Sequence, residues 1–184
     1  MTERRIDVMI DIETMGLGTN APILSIGAAA FDLFEDGIKA TFHQGISLED
    51  SMTVGRRPTA STILWWLQQD DAARKQVRQK CETGGTLTSA LRAFDAWTKS
   101  LPGISYVWGN GANFDIAILE QAYLDESMRT PWGYRNVRCF RTVMSEFGIE
   151  TDWVEPRVAH DALADAEAQA RTLQNCMCRI RGAA

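Results

Sequence analysis

At 184 residues the chain is long enough to bury one sizeable core and too short for two comfortable ones, so residues 1–184 are read as a single domain. With 24 Asp and Glu against 19 Lys and Arg, its net charge of −5 argues against nucleic-acid binding across a broad basic surface, but leaves room for acids gathered around metal ions. Four cysteines without a C-x-x-C pair and only two histidines argue against structural zinc; free thiols, a charged amino terminus and no long apolar run predict a soluble cytoplasmic protein without a membrane span.

The first predicted element is a buried strand over 6–14, where β-branched Val8, Ile10 and Ile12 are followed by Gly16 and Gly18. After the turn Asn20-Ala21-Pro22, residues 23–32 read as a second strand rich in small side chains. The turn Glu35-Asp36-Gly37 and alternating Ile38, Ala40 and Phe42 predict a third, completing an antiparallel meander. Residues 47–57 read as polar and irregular. Residues 60–69 have helical spacing at Ile63, Trp66 and Leu67, which predicts that these three enter the core. Another helical piece starts at Asp70, and Leu87, Leu91, Phe94 and Trp97 mark one apolar helix face that Pro102-Gly103 ends. A fourth strand over 105–109 empties into a loop and a helix over 114–124, with Asn113 as its expected N-cap. A short fifth strand over 136–140, a helix over 142–147 and an Ala-rich helix over 162–179, capped by Asp161, complete the chain. This is an α/β order: a mixed sheet, antiparallel meander followed by parallel strands, flanked by helices.

Chemistry enters through the acids. Side chains two apart on a strand share a face, so Asp11 and Glu13 point the same way from the strand's carboxyl end. Two carboxylates held together in a dry position repel each other unless a cation neutralises them, and Mg²⁺ or Mn²⁺ suits an all-oxygen set. Asp115 stands in the first turn of a helix that follows a strand, at the sheet edge where open α/β folds bind ligands. His160 closes a loop and Asp165 lies about one turn into the last helix, a spacing that lets both face one site.

Asp11-Ile12-Glu13-Thr14, Asn113-Phe114-Asp115 and His160-Asp161-Ala162-Leu163-Ala164-Asp165 resemble, in order and local context, the three motifs of the DEDDh branch of DnaQ-like 3′→5′ exonucleases. The resemblance spans nearly the whole chain and implies a ribonuclease H-like fold. Residues 62–69, with Ala73-Arg74, further resemble the small exonucleases of T-even phages and their bacterial exoribonuclease relatives. By resemblance, Asp11, Glu13 and Asp165 hold one of two Mg²⁺ or Mn²⁺ ions, Asp11 and Asp115 the other, and His160 is the general base of phosphodiester hydrolysis. The motif neighbours Thr14, Asn113 and Phe114, with Trp65, are expected to contact the 3′ end of a single-stranded DNA or RNA, releasing nucleoside monophosphates. A homodimer is consistent with the group, and no membrane partner is expected.

Other readings compete. Gly109-Asn110-Gly111-Ala112-Asn113-Phe114 half-matches a dinucleotide-binding G-x-G-x-x-G, but Phe114 stands where the third glycine belongs. A non-catalytic nucleic-acid-binding module on the same fold is the serious rival, and should have lost a metal ligand; none is missing. Adjacent Trp65 and Trp66 diverge by about 100° on a helix. Trp66 is therefore placed in the core, and Trp65 is left as a base-stacking or subunit-contact candidate. Arg135, Arg138 and Arg141, three apart, form either a solvated face or a phosphate track.

Overall fold

The computed structural model describes residues 5–147 and 153–182. Its central strand, β1 (Asp7–Thr14), pairs antiparallel with β2 (Ile23–Phe31), which pairs antiparallel with β3 (Ile38–Gly45). On its other side β1 runs parallel to β4 (Tyr106–Gly109), and β4 to β5 (Val137–Cys139), giving the order β3-β2-β1-β4-β5. The meander-then-parallel reading is therefore correct.

Alternation along β1 divides the molecule. Val8, Ile10 and Ile12 join the larger apolar cluster, with Leu87, Leu91 and Phe94 of α4 (Leu87–Ser100) and Ile116 and Leu119 of α5 (Asp115–Asp125). Met9 points to the opposite face, where it meets Ala166, Ala170 and Leu173 of α7 (Ala162–Gly182), one stripe at helical spacing. Asp7 lies on that same face and is fully buried. It is held by Arg5 Nη2 at 2.8 Å and by the indole N–H of Trp108 at 2.9 Å.

The small residues of β2 let α7 close on the sheet. At Gly27, opposite Asp11, an added Cβ would stand 2.1 Å from the carbonyl carbon of Ala162, so the first turn of α7 rests on bare strand backbone. That contact carries the last helix, and the acid in its first turn, up to β1.

Three local expectations are corrected. Residues 47–57 contain a short helix, α1 (Leu48–Thr53), whose N-cap Ser47 accepts from the Asp50 amide; at six residues it is too brief for its apolar spacing to register. In α2 (Ala60–Gln68) Trp66 is buried at 5 % exposure, but Ile63 and Leu67 are 40 % and 61 % exposed. This helix lies over the end of β1 and reaches it through the Trp66 indole, which donates to Thr14 O at 2.9 Å; only Thr62 and Trp66 of the helix are buried, so most of its apolar face is left uncovered. Finally, α5 starts at Asp115 with Phe114 at the cap position and no side-chain cap bond, so Asn113 is not its N-cap. The helix expected near Asp70 runs as α3 (Asp71–Thr83), and α6 (Phe140–Phe147) follows β5 directly. No helix among the described residues is long and apolar enough to cross a membrane.

Candidate active site

The carboxyl end of β1, the amino end of α5 and the first turn of α7 meet at one edge of the sheet. Asp11 and Glu13 come from β1, Asp115 from α5 and Asp165 from α7. The fold thus brings together all four predicted acids. The backbone N–H of Ile12 donates to Asp115 Oδ1 at 3.4 Å, tying α5 to the strand between its two acids. Ligand atoms of Glu13, His160 and Asp165 lie within 4.8 Å of one another, close enough to share one cation.

Electrostatics shows how crowded the edge is. Burial, followed by the charges of Asp115, Glu13 and Asp165, drives Asp11 well above the usual carboxylate range, eased by Gln169. Burial and Asp165 push Glu13 up to about 7 against the pull of Lys80. Burial lifts Asp115 to about 7, although the amide of Ile12 and the charge of Arg141 oppose it. Asp165 rises to about 6, again through burial first, with His160 opposing. Four carboxyl groups this reluctant to ionise together, with hard oxygen donors converging, fit divalent cations of the Mg²⁺ or Mn²⁺ kind.

His160 sits in the left-handed region at φ +61°, a conformation that turns the chain sharply into α7. Its ring meets Trp65 edge-on at 4.9 Å between centroids and Trp66 at 5.9 Å. Next along, Asp161 caps α7 as expected, accepting from the Ala164 N–H at 3.1 Å. Its other oxygen accepts from Lys80 Nζ at 3.2 Å and lies 4.0 Å from His43 Nε2. His43 therefore stands behind the capping acid, outside the Glu13–His160–Asp165 cluster.

Beside the acids opens a cavity of about 390 Å³ whose walls include Glu13, Thr14, Leu17, Thr62, Trp65 and Phe114. Of the four predicted contact residues, Thr14, Phe114 and Trp65 line it. Thr14 does so with its hydroxyl already donating to Gly16 O at 2.7 Å. Asn113 is exposed and lies outside those walls.

Two residues near the acids escaped the sequence reading. Gln169 donates to Asp11 Oδ1 at 2.9 Å while its own Oε1 is buried without a partner. Its position four residues after Asp165 on one helix face was the available signal. Lys80 comes from α3, far from any motif, and no spacing pointed to it.

A mixed sheet of this order, with acids converging from β1, α5 and α7, is the ribonuclease H-like arrangement that 3′–5′ exonucleases share. Residues 6–177 match the family model described as a 3′-5′ exoribonuclease Rv2179c-like domain, and the chain belongs to that family. It is 32 % identical to an exodeoxyribonuclease of Enterobacteria phage T4, over 86 % of this chain and 83 % of that one. Among solved structures it resembles the nuclease domain of 3′hExo, a DEDDh family member bound to rAMP, with a TM-score of 0.64 and 13 % identity over 97 % of this chain and 94 % of the other. Exonuclease X, in complex with 5′-overhanging duplex DNA, superposes with a TM-score of 0.60 and 15 % identity over 94 % and 92 % of the two chains. The protein is a 3′–5′ exonuclease by family.

Proposed function

We propose that this enzyme removes nucleoside monophosphates one at a time from single-stranded 3′ ends, with His160 as general base and two divalent cations held by the four acids. The observation that carries this reading is the meeting of Glu13, Asp165 and the His160 imidazole within 4.8 Å, beside an apolar cavity sized for a nucleoside. Asp11, Glu13 and Asp165 would hold one cation, and Asp11 with Asp115 the other. Bound there, the cations supply charge neutralisation for the scissile phosphate and acidify water.

The remaining work falls to the chain's own side chains. The terminal base and sugar enter the cavity between Leu17, Phe114 and Trp65, where an aromatic face accepts any base. An imidazole nitrogen of His160, its ring braced edge-on by Trp65 and Trp66, takes the proton from the attacking water. The Asp161 cap, braced by Lys80, holds the turn that presents this ring. Gln169 orients Asp11 through its amide.

The family description names RNA and the phage relative's name DNA, so the test runs both. Purified protein with Mg²⁺ or Mn²⁺ is given 5′-labelled and 3′-labelled single strands of each. The 5′-labelled strands should shorten stepwise, and the 3′-labelled strands should release their label first, as a mononucleotide. Binding without product in either metal would establish the non-catalytic module instead.

A further inference from the structure

The three arginines spaced along 135–141 meet different fates. Arg135 Nε donates to the Tyr134 hydroxyl at 2.9 Å, and its guanidinium lies over the same ring. Arg138 lies over Tyr106, 4.0 Å from the ring centroid, and Nη1 donates to the carbonyls of Arg135 and Val137 at 2.9 and 2.8 Å. Both guanidinium groups are engaged locally.

Arg141 differs. It is the second residue of α6 and is exposed, and among the described residues its one hydrogen-bond acceptor is Asn110 O, 3.0 Å from Nη2. Asn110 directly follows β4, in the loop that leads to Asp115. Gly111, at φ +106°, turns that loop beneath the guanidinium; a Cβ there would sit 3.6 Å from Arg141 Cζ. The loop therefore fixes the guanidinium beside Asp115 by one N–H and leaves the other donors free.

Direction then decides what those donors meet. In-line displacement places the attacking and leaving oxygens on opposite sides of phosphorus. His160, Glu13 and Asp165 define the attacking side, so the leaving 3′ oxygen faces Asp115. That oxygen belongs to the rest of the strand, whose next phosphodiester leaves the site past Asp115. We infer that Arg141 binds the phosphate immediately 5′ of the scissile one, a contact suited to a forked guanidinium and indifferent to the base. This rests on the exonuclease reading for its polarity, and it gives an acidic chain one placed cation of its own for a polyanion, beside the metal ions.

The test measures binding of 5′-labelled trinucleotides and longer single strands in Ca²⁺, against salt concentration, for wild type, Arg141→Gln, Arg141→Lys and Arg135→Gln. Arg141→Gln should weaken binding roughly tenfold and lower the salt slope by about one, with Arg141→Lys intermediate and Arg135→Gln like wild type. A single uncharged methylphosphonate at the linkage next to the scissile bond should cost wild type the same factor and Arg141→Gln nothing more. In Mg²⁺, Arg141→Gln should lose more on a trinucleotide than on a dinucleotide, which lacks that linkage, so that any effect through neighbouring Asp115 is common to both substrates and cancels in the ratio. Unchanged trinucleotide binding in Arg141→Gln, or an equal loss on the methylphosphonate strand, overturns the assignment. Failure of the exonuclease reading shows separately, as wild type that yields no product, and the binding arm still decides on Arg141.

Discussion

On one face of β1, Val8, Ile10 and Ile12 are sealed against α4 and α5; on the other, Asp11 and Glu13 are pressed toward Asp165 and Gln169 of α7. Burying one large aliphatic side chain contributes about 1.5–3 kcal/mol. Ionising Glu13, lifted from 4.5 to about 7, costs on the order of 3 kcal/mol. One carboxylate on the chemical face therefore offsets roughly one aliphatic side chain on the structural face. The two faces of a single strand carry opposite signs, and the large apolar cluster is what lets the acids stay.

The largest effects separate those faces. Asp11→Asn, Glu13→Gln, Asp115→Asn and Asp165→Asn should each abolish turnover while the metal-free protein melts at the same or a higher temperature, because a repelling charge has gone. Phe94→Ala, on the structural face, should instead lose about 3–5 kcal/mol in denaturant unfolding and keep its turnover wherever it is folded. Full activity in any acid variant, or in excess chelator, would break the two-metal reading.

Next comes His160→Ala, expected to lose roughly 10²- to 10⁴-fold in turnover with metal binding retained. The comparison is made at saturating Mg²⁺ or Mn²⁺, so that weakened metal binding does not imitate loss of the base. A variant with the wild-type rate removes His160 from the chemistry.

A smaller effect concerns stability against pH. Glu13, Asp115 and Asp165 have folded-state values raised to about 7, 7 and 6, above their ordinary 4.5, 3.8 and 3.8. The folded chain thus holds protons that the unfolded chain has released, and stability present below about pH 4 is lost as pH rises through 6 and 7. Metal-free protein should melt several degrees lower at pH 8 than at pH 5, and saturating Mg²⁺ or Mn²⁺ should reverse that slope, as differential scanning calorimetry can check. An upward slope without metal would show that the acids are not crowded.

The smallest expected effect is in His43→Ala, which removes a neighbour of Asp161 but leaves Lys80 to brace it. Turnover should stay within a few-fold of wild type; a loss matching His160→Ala would mean that the catalytic histidine had been misassigned.

What was legible in sequence followed from periodicity and short spacing. Period-two alternation gave β1 and the common face of Asp11 and Glu13, and strand-then-helix order put Asp115 at the sheet edge. Contacts made by elements distant in sequence left no such trace. The Lys80–Asp161 pair joins α3 to the α7 cap, and the Gly27 contact appears only once α7 lies on β2. The expectation for Ile63 and Leu67 failed because amphipathic spacing shows which face of a helix is apolar, not how much of that face the fold covers. Trp65 shows the same limit: its place against His160 follows from how α2 crosses the strand end.

The left-handed backbone at His160 has a consequence for any search for hardier variants. Glycine adopts that conformation without the penalty a side chain brings, so at this position the substitution that relaxes the turn is one that discards the imidazole. The same direction holds at the four acids. A thermostability screen run without an activity filter would drift toward these substitutions, and its most heat-resistant products would be folded proteins that no longer cut.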